Sequence, residues 1–260
     1  MEKWRGKWAL VTGASSGIGW ALAEQLAAQG ANLVLTARRA DRLAKLAEAV
    51  TARHKTQAQI FAADLTQPEA PTQILRFTEQ QRLPIEVLIN NAGFGAYGEF
   101  RKVEARRFLD MVQVNVAAVV HLTHLFLPPM VERRSGYIMI VASTAAFQPV
   151  PYLSTYAATK GFDLLFAEGL AEEVRRYGVD VCALCPGSTA SEFNEVAGQP
   201  RMPGAQESNE KVARVGLKAL AQGKPRVISG TRNWLSVEAQ RLAPRRLVTK
   251  VAARMFMPPQ

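Results

Sequence analysis

Short apolar segments rich in β-branched residues alternate with helical patterns along most of the chain. The segments that predict strands lie at residues 7–12, 31–37, 57–62, 85–90, 136–142 and 179–184. The helical patterns lie near residues 17–29, 40–54, 68–81, 104–132 and 153–177. Near-continuous apolar strands that alternate with helices are typical of a parallel sheet covered on both faces. The pattern therefore predicts a doubly wound α/β fold with a parallel sheet of about seven strands.

The last third of the chain is less regular. Residues 188–210 mix polar residues with Pro and Gly, and we interpret them as a substrate loop. A helix near 208–222, a short strand at 226–229 and a basic helical tail at about 230–257 follow. Because no linker separates these segments from the rest, we expect one domain over residues 1–260.

The helical pattern at 153–177 is apolar around most of its circumference. A helix of this kind is buried on more than one side. One side would pack on the sheet and the other on a second subunit, so we expect a homo-oligomer, either a dimer or a tetramer. Burial within a single chain is the alternative.

Composition is that of an ordinary globular enzyme, with 48% hydrophobic and 21% charged residues among 260. The sequence lacks an uninterrupted apolar run near the ~18 residues of a membrane span. Its first residues lead into a strand pattern without the features of a signal peptide. We therefore expect a cytoplasmic location.

The net charge of +10 lies entirely in the C-terminal fifth, because residues 211–260 hold eleven Lys and Arg and one acid, Glu238. A basic stripe is formed by Arg246, Lys250 and Arg254, with Leu247, Val251 and Met255 beside it. A basic amphipathic helix is suited to the surface of an anionic membrane or to an acidic carrier protein. A packed helix with solvated charges is the plain alternative. We do not expect nucleic-acid binding, because no recognition motif accompanies the charge.

The first predicted strand ends in the glycine-rich segment T-G-A-S-S-G-I-G at 12–19, and a helix pattern follows at once. Glycine lets the backbone approach a pyrophosphate, whose charge is stabilised at a helix N-terminus. The predicted contacts are Gly13, Ser15, Ser16, Gly17, Ile18 and Gly19. The segment therefore predicts a dinucleotide site.

The end of the second predicted strand indicates which dinucleotide. An acid there would bind a ribose 2′-hydroxyl, whereas Arg accommodates a 2′-phosphate. Here Arg38 and Arg39 end the strand and the first acid is Asp41. Guanidinium groups bind phosphate in a bidentate manner, so the sequence favours NADP(H). Solvated charges at a helix start are the alternative.

Tyr156 and Lys160 are four residues apart in Y-A-A-T-K, and Ser143 lies thirteen residues before the tyrosine. On a helix this spacing places both side chains on one face. A neighbouring ammonium lowers the pKa of a phenol, which favours proton transfer near neutral pH. A hydroxyl such as that of Ser143 can hold a carbonyl oxygen against the phenol.

Two pairs of residues have the spacing of metal ligands or redox groups. Cys182 and Cys185 lie in a strand pattern, where residues three apart point to opposite faces, so we interpret them as buried thiols. His121 and His124 have helical spacing without a third ligand cluster. We expect no metal site.

From residue 7 to about 195 the sequence resembles the short-chain dehydrogenase/reductase family, whose fold is a Rossmann-type domain. The resemblance rests on T-G-A-S-S-G-I-G at 12–19, Asp64, N-N-A-G at 90–93, Asn115, Ser143, Y-A-A-T-K at 156–160 and Pro186-Gly187. It implies that Tyr156 is the general acid, that Lys160 lowers its pKa and binds the nicotinamide ribose, and that Ser143 orients the substrate oxygen. Asn115 would anchor a water relay to the lysine.

The resemblance also implies cofactor contacts outside the glycine-rich segment. They are Asp64 and Leu65 at the adenine, Asn90, Ala92 and Gly93 after the fourth strand, and Pro186, Gly187, Thr189 and Ser191 at the nicotinamide. Asn91 would tie strands together.

Two departures from the family pattern bear on the cofactor. Ser191 stands where a Thr is common in the nicotinamide loop, and the glycine-rich segment carries Ser15 and Ser16 where many NADP-preferring members have a basic residue.

The substrate pocket is expected to be mainly apolar. Its predicted residues are Phe94, Tyr97, Ala145, Phe147, Val150, Tyr152 and Phe193. Such a pocket suits a lipophilic ketone, aldehyde or acyl chain. The middle of the chain is most similar to members allied to hydroxysteroid dehydrogenases and β-ketoacyl reductases. We therefore expect an NADP(H)-dependent oxidoreductase acting on a lipophilic carbonyl or alcohol. The alternatives are an NAD-dependent alcohol dehydrogenase and a non-catalytic NADP-binding scaffold or regulator.

Overall fold

Seven parallel strands form one sheet in the computed structural model, which describes residues 3–200 and 206–258. The strands are β1 (Trp8–Thr12), β2 (Asn32–Ala37), β3 (Ala58–Ala62), β4 (Ile85–Asn90), β5 (Gly136–Val141), β6 (Val179–Cys185) and β7 (Arg226–Ile228). Their order in the sheet is β3-β2-β1-β4-β5-β6-β7. The predicted doubly wound α/β fold is confirmed.

Helices cover both faces of the sheet. They are α1 (Gly17–Ala28), α2 (Ala40–His54), α3 (Ala70–Gln80), α4 (Ala105–Val112), α5 (Ala118–Glu132), α6 (Ser154–Val174), α7 (Phe193–Ala197), α8 (Asn209–Ala221), α9 (Thr231–Gln240) and α10 (Arg245–Phe256). The single helix predicted at 104–132 is interrupted by a π-helical segment, Gln113–Ala117, which joins α4 to α5. The predicted substrate loop at 188–210 contains the short helix α7, and its residues 201–205 lie outside the described part of the chain.

Two apolar layers form the core, because successive side chains of a strand point to opposite faces of the sheet. Val11 of β1 packs in the layer that includes α1, α2 and α8, with Leu22 among its members. Leu10 packs in the layer that includes α3, α5 and α6, with Phe126 among its members. Burial on both faces explains why the strands are apolar almost throughout.

The helical stretch Ala105–Glu132, which includes the π-helical segment, has a mean hydropathy of 1.5 over its most apolar window. Its length and composition would allow it to cross a membrane. In the fold its second half, α5, packs against α3 and strands β4 and β5. Leu122 and Phe126 are buried in that contact. Its apolar character is therefore explained by the core.

The strand order places a topological switch between β1 and β4, because the chain builds the sheet outward in opposite directions from this pair. In open parallel sheets, ligands bind beyond the carboxyl ends of the strands at such a switch. The loops that follow β1 and β4 meet there, and they carry Gly13 and Gly93.

Candidate active site

A cleft of about 440 Å³ lies at the carboxyl edge of the sheet. Its walls come from the loops after β1 to β6, together with α6, α7 and the end of α10. Most of the predicted cofactor residues line it, namely Gly13, Ser15, Ser16, Gly17, Ile18, Arg38, Arg39, Asp64, Leu65, Ala92, Gly93, Tyr156, Lys160, Pro186, Gly187, Thr189 and Ser191. Gly19 and Asn90 do not line it.

The glycine-rich turn is packed closely against the loop after β4. Gly13 has φ +65°, and a Cβ atom there would lie 2.9 Å from the Cα atom of Ala92. At Gly19 a Cβ atom would lie 2.4 Å from the side-chain nitrogen of Asn91, so this glycine serves packing and faces away from the cleft. The turn leaves the N-terminus of α1 open to the cleft, which suits a phosphate group.

Thr12 joins the turn to that loop. Its hydroxyl accepts hydrogen bonds from the backbone N–H groups of Asn91 (2.9 Å) and Ala92 (3.0 Å) and donates to the carbonyl of Ile89 (3.2 Å). The side chain of Asn91 donates to the Thr12 carbonyl at 2.9 Å. This agrees with the expected structural role of Asn91.

Asn90 does not line the cleft, and its predicted cofactor contact stays a prediction. Its side chain is buried, and its amide nitrogen donates to the Thr123 hydroxyl of α5 at 3.0 Å. The last residue of β4 therefore points into the helix layer, while the backbone turns toward the cleft only at the following residues. The direction of the Asn90 side chain follows from the alternation of side chains along the strand. It can be predicted from the sequence only when the last residue of the strand is known.

Two arginines, Arg39 and Arg42, lie just after the end of β2, and we call this pair the arginine cluster. The Arg39 guanidinium donates to the hydroxyls of Ser15 (3.1 Å) and Ser16 (2.9 Å). It also forms an ion pair with Glu192 at 2.8 Å, and Arg42 pairs with the same carboxylate at 2.5 Å. Arg38 is exposed at the rim of the cleft. Arg42 on α2 and Glu192 in the substrate loop were not predicted, because no sequence motif marks either residue.

The Glu192 carboxylate crosses from the substrate loop to the arginine cluster. Hydrogen bonds from Arg42 and Arg39 lower the pKa of Glu192, so the carboxylate is ionised at neutral pH. The three side chains form an anion held between two cations. An anionic ligand at this point would replace the carboxylate on the same guanidinium groups.

Ser143 and Tyr156 both line this cleft. Burial raises the pKa of Tyr156, and the positive charge of Lys160 and the Ser143 hydroxyl oppose this rise without cancelling it. The direction of the Lys160 effect is the expected one, because this cation lowers the pKa of the phenol, and the general-acid role of Tyr156 stays a prediction. A phenol with a raised pKa is protonated at neutral pH and is suited to donate a proton.

Lys160 is buried beneath the cleft and forms an ion pair with Asp163 of the same helix. Its ammonium group lies 2.9 Å from the Asp163 carboxylate and donates to the Val141 carbonyl at 2.7 Å. Burial by itself would lower the pKa of Lys160, but the charges of Asp163 and Tyr156 raise it above its ordinary value. The lysine therefore remains a cation beside the tyrosine.

Asp163 was missed at the sequence level, although one signal was present. It is the one carboxylate among Gly161–Ala167, on a helix that is otherwise apolar there. The residue is completely buried, and its second oxygen, Oδ1, has no hydrogen-bond partner. Because an unpaired charge is costly in such a position, Asp163 and Lys160 depend on each other.

Asn115 lies in the π-helical segment and is completely buried. Its side-chain amide accepts from the Phe94 N–H at 3.1 Å and donates to the Phe94 carbonyl at 3.0 Å and to the Thr159 hydroxyl at 3.1 Å. It thereby fixes the loop after β4 to the helix that carries Tyr156. The implied water relay stays a prediction.

Gly187 and the residues after it are held by α9. A Cβ atom at Gly187 would lie 2.4 Å from the side chain of Asn233, which itself donates to the Ser229 carbonyl at 2.7 Å. A bridge between Thr189 and Glu207 closes the loop. The C-terminal part of the chain therefore positions the predicted nicotinamide loop.

The apolar end of the cleft contains four of the seven predicted pocket residues, which are Phe94, Ala145, Val150 and Phe193. The ring of Phe193 lies 4.9 Å from that of Tyr156, measured between centroids. Leu153 and Phe256 also line the cleft and were not predicted. Phe256 comes from the end of α10, which is too distant in sequence to be placed without the fold.

The other three predicted pocket residues do not line the cleft. The Tyr97 hydroxyl donates to the Phe256 carbonyl at 2.9 Å, so it anchors the end of α10. Phe147 packs in the core layer that includes α6. Tyr152 adopts φ +67°, and its carbonyl accepts from the Gly98 N–H at 2.9 Å. In a loop, the type of a residue does not determine which way its side chain points, so these three directions could not be predicted from the sequence.

Cys182 and Cys185 are free and completely buried. Burial raises the pKa of each thiol to about 12, which is the behaviour of inert packing residues. Within residues 3–200 and 206–258, the structure contains no cluster of three or more His, Cys, Asp or Glu side chains suited to a metal ion.

Comparison with known proteins identifies the family. Residues 7–201 match the family model of the short-chain dehydrogenases. The chain belongs to this family. The resemblance expected from the glycine-rich turn and Y-A-A-T-K is confirmed, and the matched region contains the Ser143, Tyr156 and Lys160 side chains described above.

Relatives of the family differ in length from this chain. Hydroxysteroid dehydrogenase-like protein 1 of Gallus gallus is 34% identical over 183 residues, which cover 70% of this chain and 55% of that protein. Very-long-chain 3-oxoacyl-CoA reductase-B of Danio rerio is 34% identical over 195 residues, covering 74% and 62%. The chain therefore spans less than two thirds of the length of these curated relatives.

A solved family structure matches almost the whole fold. The short-chain dehydrogenase from Sphingobium yanoikuyae in complex with NADPH is 30% identical, with a TM-score of 0.82, and the match covers 91% of this chain and 94% of that one.

We predict that Asp163→Leu lowers the free energy of unfolding by about 3–5 kcal/mol, because it leaves the Lys160 ammonium buried without a partner. Urea unfolding measures the change. The double variant Lys160→Met/Asp163→Leu, which removes both charges, should be more stable than the single variant. A double variant that is less stable than Asp163→Leu would contradict the mutual dependence of the two side chains.

Proposed function

We propose that the chain is an NADP(H)-dependent carbonyl reductase. The observation that carries the proposal is the position of Ser143, Tyr156 and Lys160 in the same cleft as the glycine-rich turn. Membership of the family and the NADPH complex of the Sphingobium yanoikuyae relative support it. When bound, NADPH supplies a hydride to the carbonyl carbon of the substrate. The side chains supply binding, orientation and the proton.

In the proposed reduction Tyr156 donates its phenolic proton to the carbonyl oxygen, and the Ser143 hydroxyl orients that oxygen. The phenol carries its proton at neutral pH, because its ordinary pKa is about 10 and burial raises it further. Lys160 stabilises the phenolate that forms, because its ammonium is held as a cation by Asp163. Alcohol oxidation by the same groups is the reverse reaction.

The 2′-phosphate of NADPH fits the arginine cluster. Arg39, Arg42 and the hydroxyls of Ser15 and Ser16 converge at the end of β2. The two serines, which replace the basic residue found in many NADP-preferring members, therefore act as partners of Arg39. In this proposal the phosphate takes the place of the Glu192 carboxylate.

A lipophilic substrate is the favoured class. The cleft beside Tyr156 is lined by Val150, Leu153, Phe193 and Phe256, which offer apolar contacts and few polar ones. Two relatives are named for hydroxysteroids and for very-long-chain 3-oxoacyl-CoA. We propose a bulky ketone or a β-ketoacyl thioester ahead of a small polar carbonyl compound.

A homo-oligomer is the favoured assembly. On α6, Leu165 is 70% exposed and Phe162 is 37% exposed, although the opposite side of the helix is packed against the sheet. Leu109 and Val112 of α4 are also exposed, and α4 contacts α6. We propose that this face, defined by these four residues, packs against a second copy of the chain.

The cytoplasmic location stays a prediction, as does the contact of the basic tail with a membrane or an acidic carrier protein.

We predict that Tyr156→Phe loses at least ~10²-fold in kcat, because the general acid is absent while the ring remains. NADPH oxidation should be followed with a panel of ketones, aldehydes and β-ketoacyl thioesters, and NADPH binding should be measured by fluorescence as the control. A variant as active as the parent would show that another group supplies the proton. Tight NADPH binding without turnover by the parent would favour a scaffold.

We predict that Arg39→Ala weakens NADPH binding by about tenfold or more, since a hydrogen bond to a charged group contributes roughly 1.5–3 kcal/mol. Glu192→Gln should strengthen NADPH binding, because it removes the competing carboxylate. Titration with NADH, which lacks the phosphate, is the control and should change little for either variant. Equal losses for both cofactors in Arg39→Ala would contradict the phosphate assignment.

We predict that the parent has about twice its 28.5 kDa chain mass, or a higher multiple, in light scattering after size exclusion. Leu165→Glu should shift the mass to that of one chain, because it places a charge in the proposed interface. Leu242→Glu, at an exposed leucine outside that face, is the matched control. A parent that is monomeric at micromolar concentration would contradict the interface.

A further inference from the structure

Helix α10 carries two apolar stripes, and the fold accounts for one of them. Ala252 is buried, and Val248 and Phe256 are partly buried, so the stripe at spacing four through these residues packs on the body of the protein. The second stripe lies about 100° around the helix and consists of Leu247, Val251 and Met255. These side chains are 53%, 48% and 59% exposed. We call this second set the outer stripe.

A row of cations adjoins the outer stripe. Arg246, Lys250 and Arg254 precede its three members by one residue each, and all three are exposed. Residues 231–258 hold six Lys and Arg and one acid, Glu238, whose carboxylate is already paired with Arg241 at 3.1 Å. The segment therefore presents apolar side chains beside a net positive charge, over a length of about 12 Å for the outer stripe.

The end of α10 forms part of the wall of the substrate pocket. Phe256 lines the cleft, and its carbonyl accepts the hydrogen bond from Tyr97. Met255 and Met257, which flank it in sequence, are 59% and 53% exposed. One turn of helix therefore joins the exposed apolar surface to the apolar end of the cleft.

We propose that the outer stripe and its cations form a docking surface for an anionic lipid bilayer. A bilayer meets both halves of the pattern, because its head groups attract the cations and its acyl boundary accepts the apolar side chains. A second copy of the same face would bring like charges together. An acidic protein surface would satisfy the cations and leave Leu247, Val251 and Met255 without apolar cover.

This docking places the apolar end of the cleft at the bilayer. A lipophilic substrate dissolved in the membrane would then reach Phe256 without crossing bulk water. Binding to lipid is independent of the proposed chemistry, since it involves none of the residues assigned to the reaction. Failure of one proposal therefore leaves the other open to its own test.

Co-sedimentation of the full chain with vesicles tests the docking. We expect binding to phosphatidylcholine vesicles that contain about one third phosphatidylglycerol, and binding at least about tenfold weaker to phosphatidylcholine alone. The triple variant Leu247→Gln/Val251→Gln/Met255→Gln should lose about tenfold or more in affinity. The triple variant Arg246→Gln/Lys250→Gln/Arg254→Gln should lose a similar factor. Far-ultraviolet circular dichroism confirms that each variant is folded.

Four results would overturn the proposal. The first is absence of parent binding to the anionic vesicles at about 0.05 M salt, where charge attraction is strongest. The second is full binding by the variant without the outer stripe, which would show adsorption through charge alone. The third is a change of oligomeric mass in that variant while vesicle binding is retained, which would assign the stripe to a second copy. Binding to an acidic carrier protein in place of vesicles would likewise contradict it.

Discussion

The hydrogen bonds of Thr12 and Asn91 extend the pairing of β1 with β4 to the loops at the point where the cleft begins. They connect the end of β1 to the loop after β4, and the turn through Gly13 is packed so closely there that a Cβ atom would collide with Ala92. Two parts of the candidate site adjoin this connection. The dinucleotide end lies on the glycine-rich turn, and Asn115 fixes the next residues of the same loop to the Tyr156 helix.

A second constraint is the buried charge below the cleft. Lys160 can remain a cation in an apolar layer because Asp163 lies one helical turn away and is buried with it. The lysine then opposes the effect of burial on Tyr156 without making the phenol acidic. A protonated phenol beside a permanent cation is an arrangement that releases a proton when negative charge develops on a substrate oxygen. The carboxylate thus belongs to the electrostatics of the site although it does not reach the cleft.

Local patterns were sufficient for most of the fold, since strands buried on both faces are apolar without interruption and each is followed by a helix. They also located Ser143, Tyr156 and Lys160, because motif and spacing are local properties. They failed where a side-chain direction depends on the neighbouring elements, as at Tyr97, Phe147 and Tyr152. They could not reveal Glu192 or Phe256, whose positions depend on contacts with residues about 150 positions away in the chain.

We propose that this cleft transfers a hydride from NADPH to a carbonyl carbon while Tyr156 supplies the proton. The most direct measurement uses NADPH labelled with deuterium at C4, a lipophilic ketone and mass spectrometry of the product alcohol. We expect the alcohol to carry one deuterium on its carbinol carbon when the label is on the reactive face of the nicotinamide. The proposed hydride transfer would be contradicted if the protein is saturated with each labelled epimer of NADPH and no product of any ketone or β-ketoacyl thioester contains deuterium.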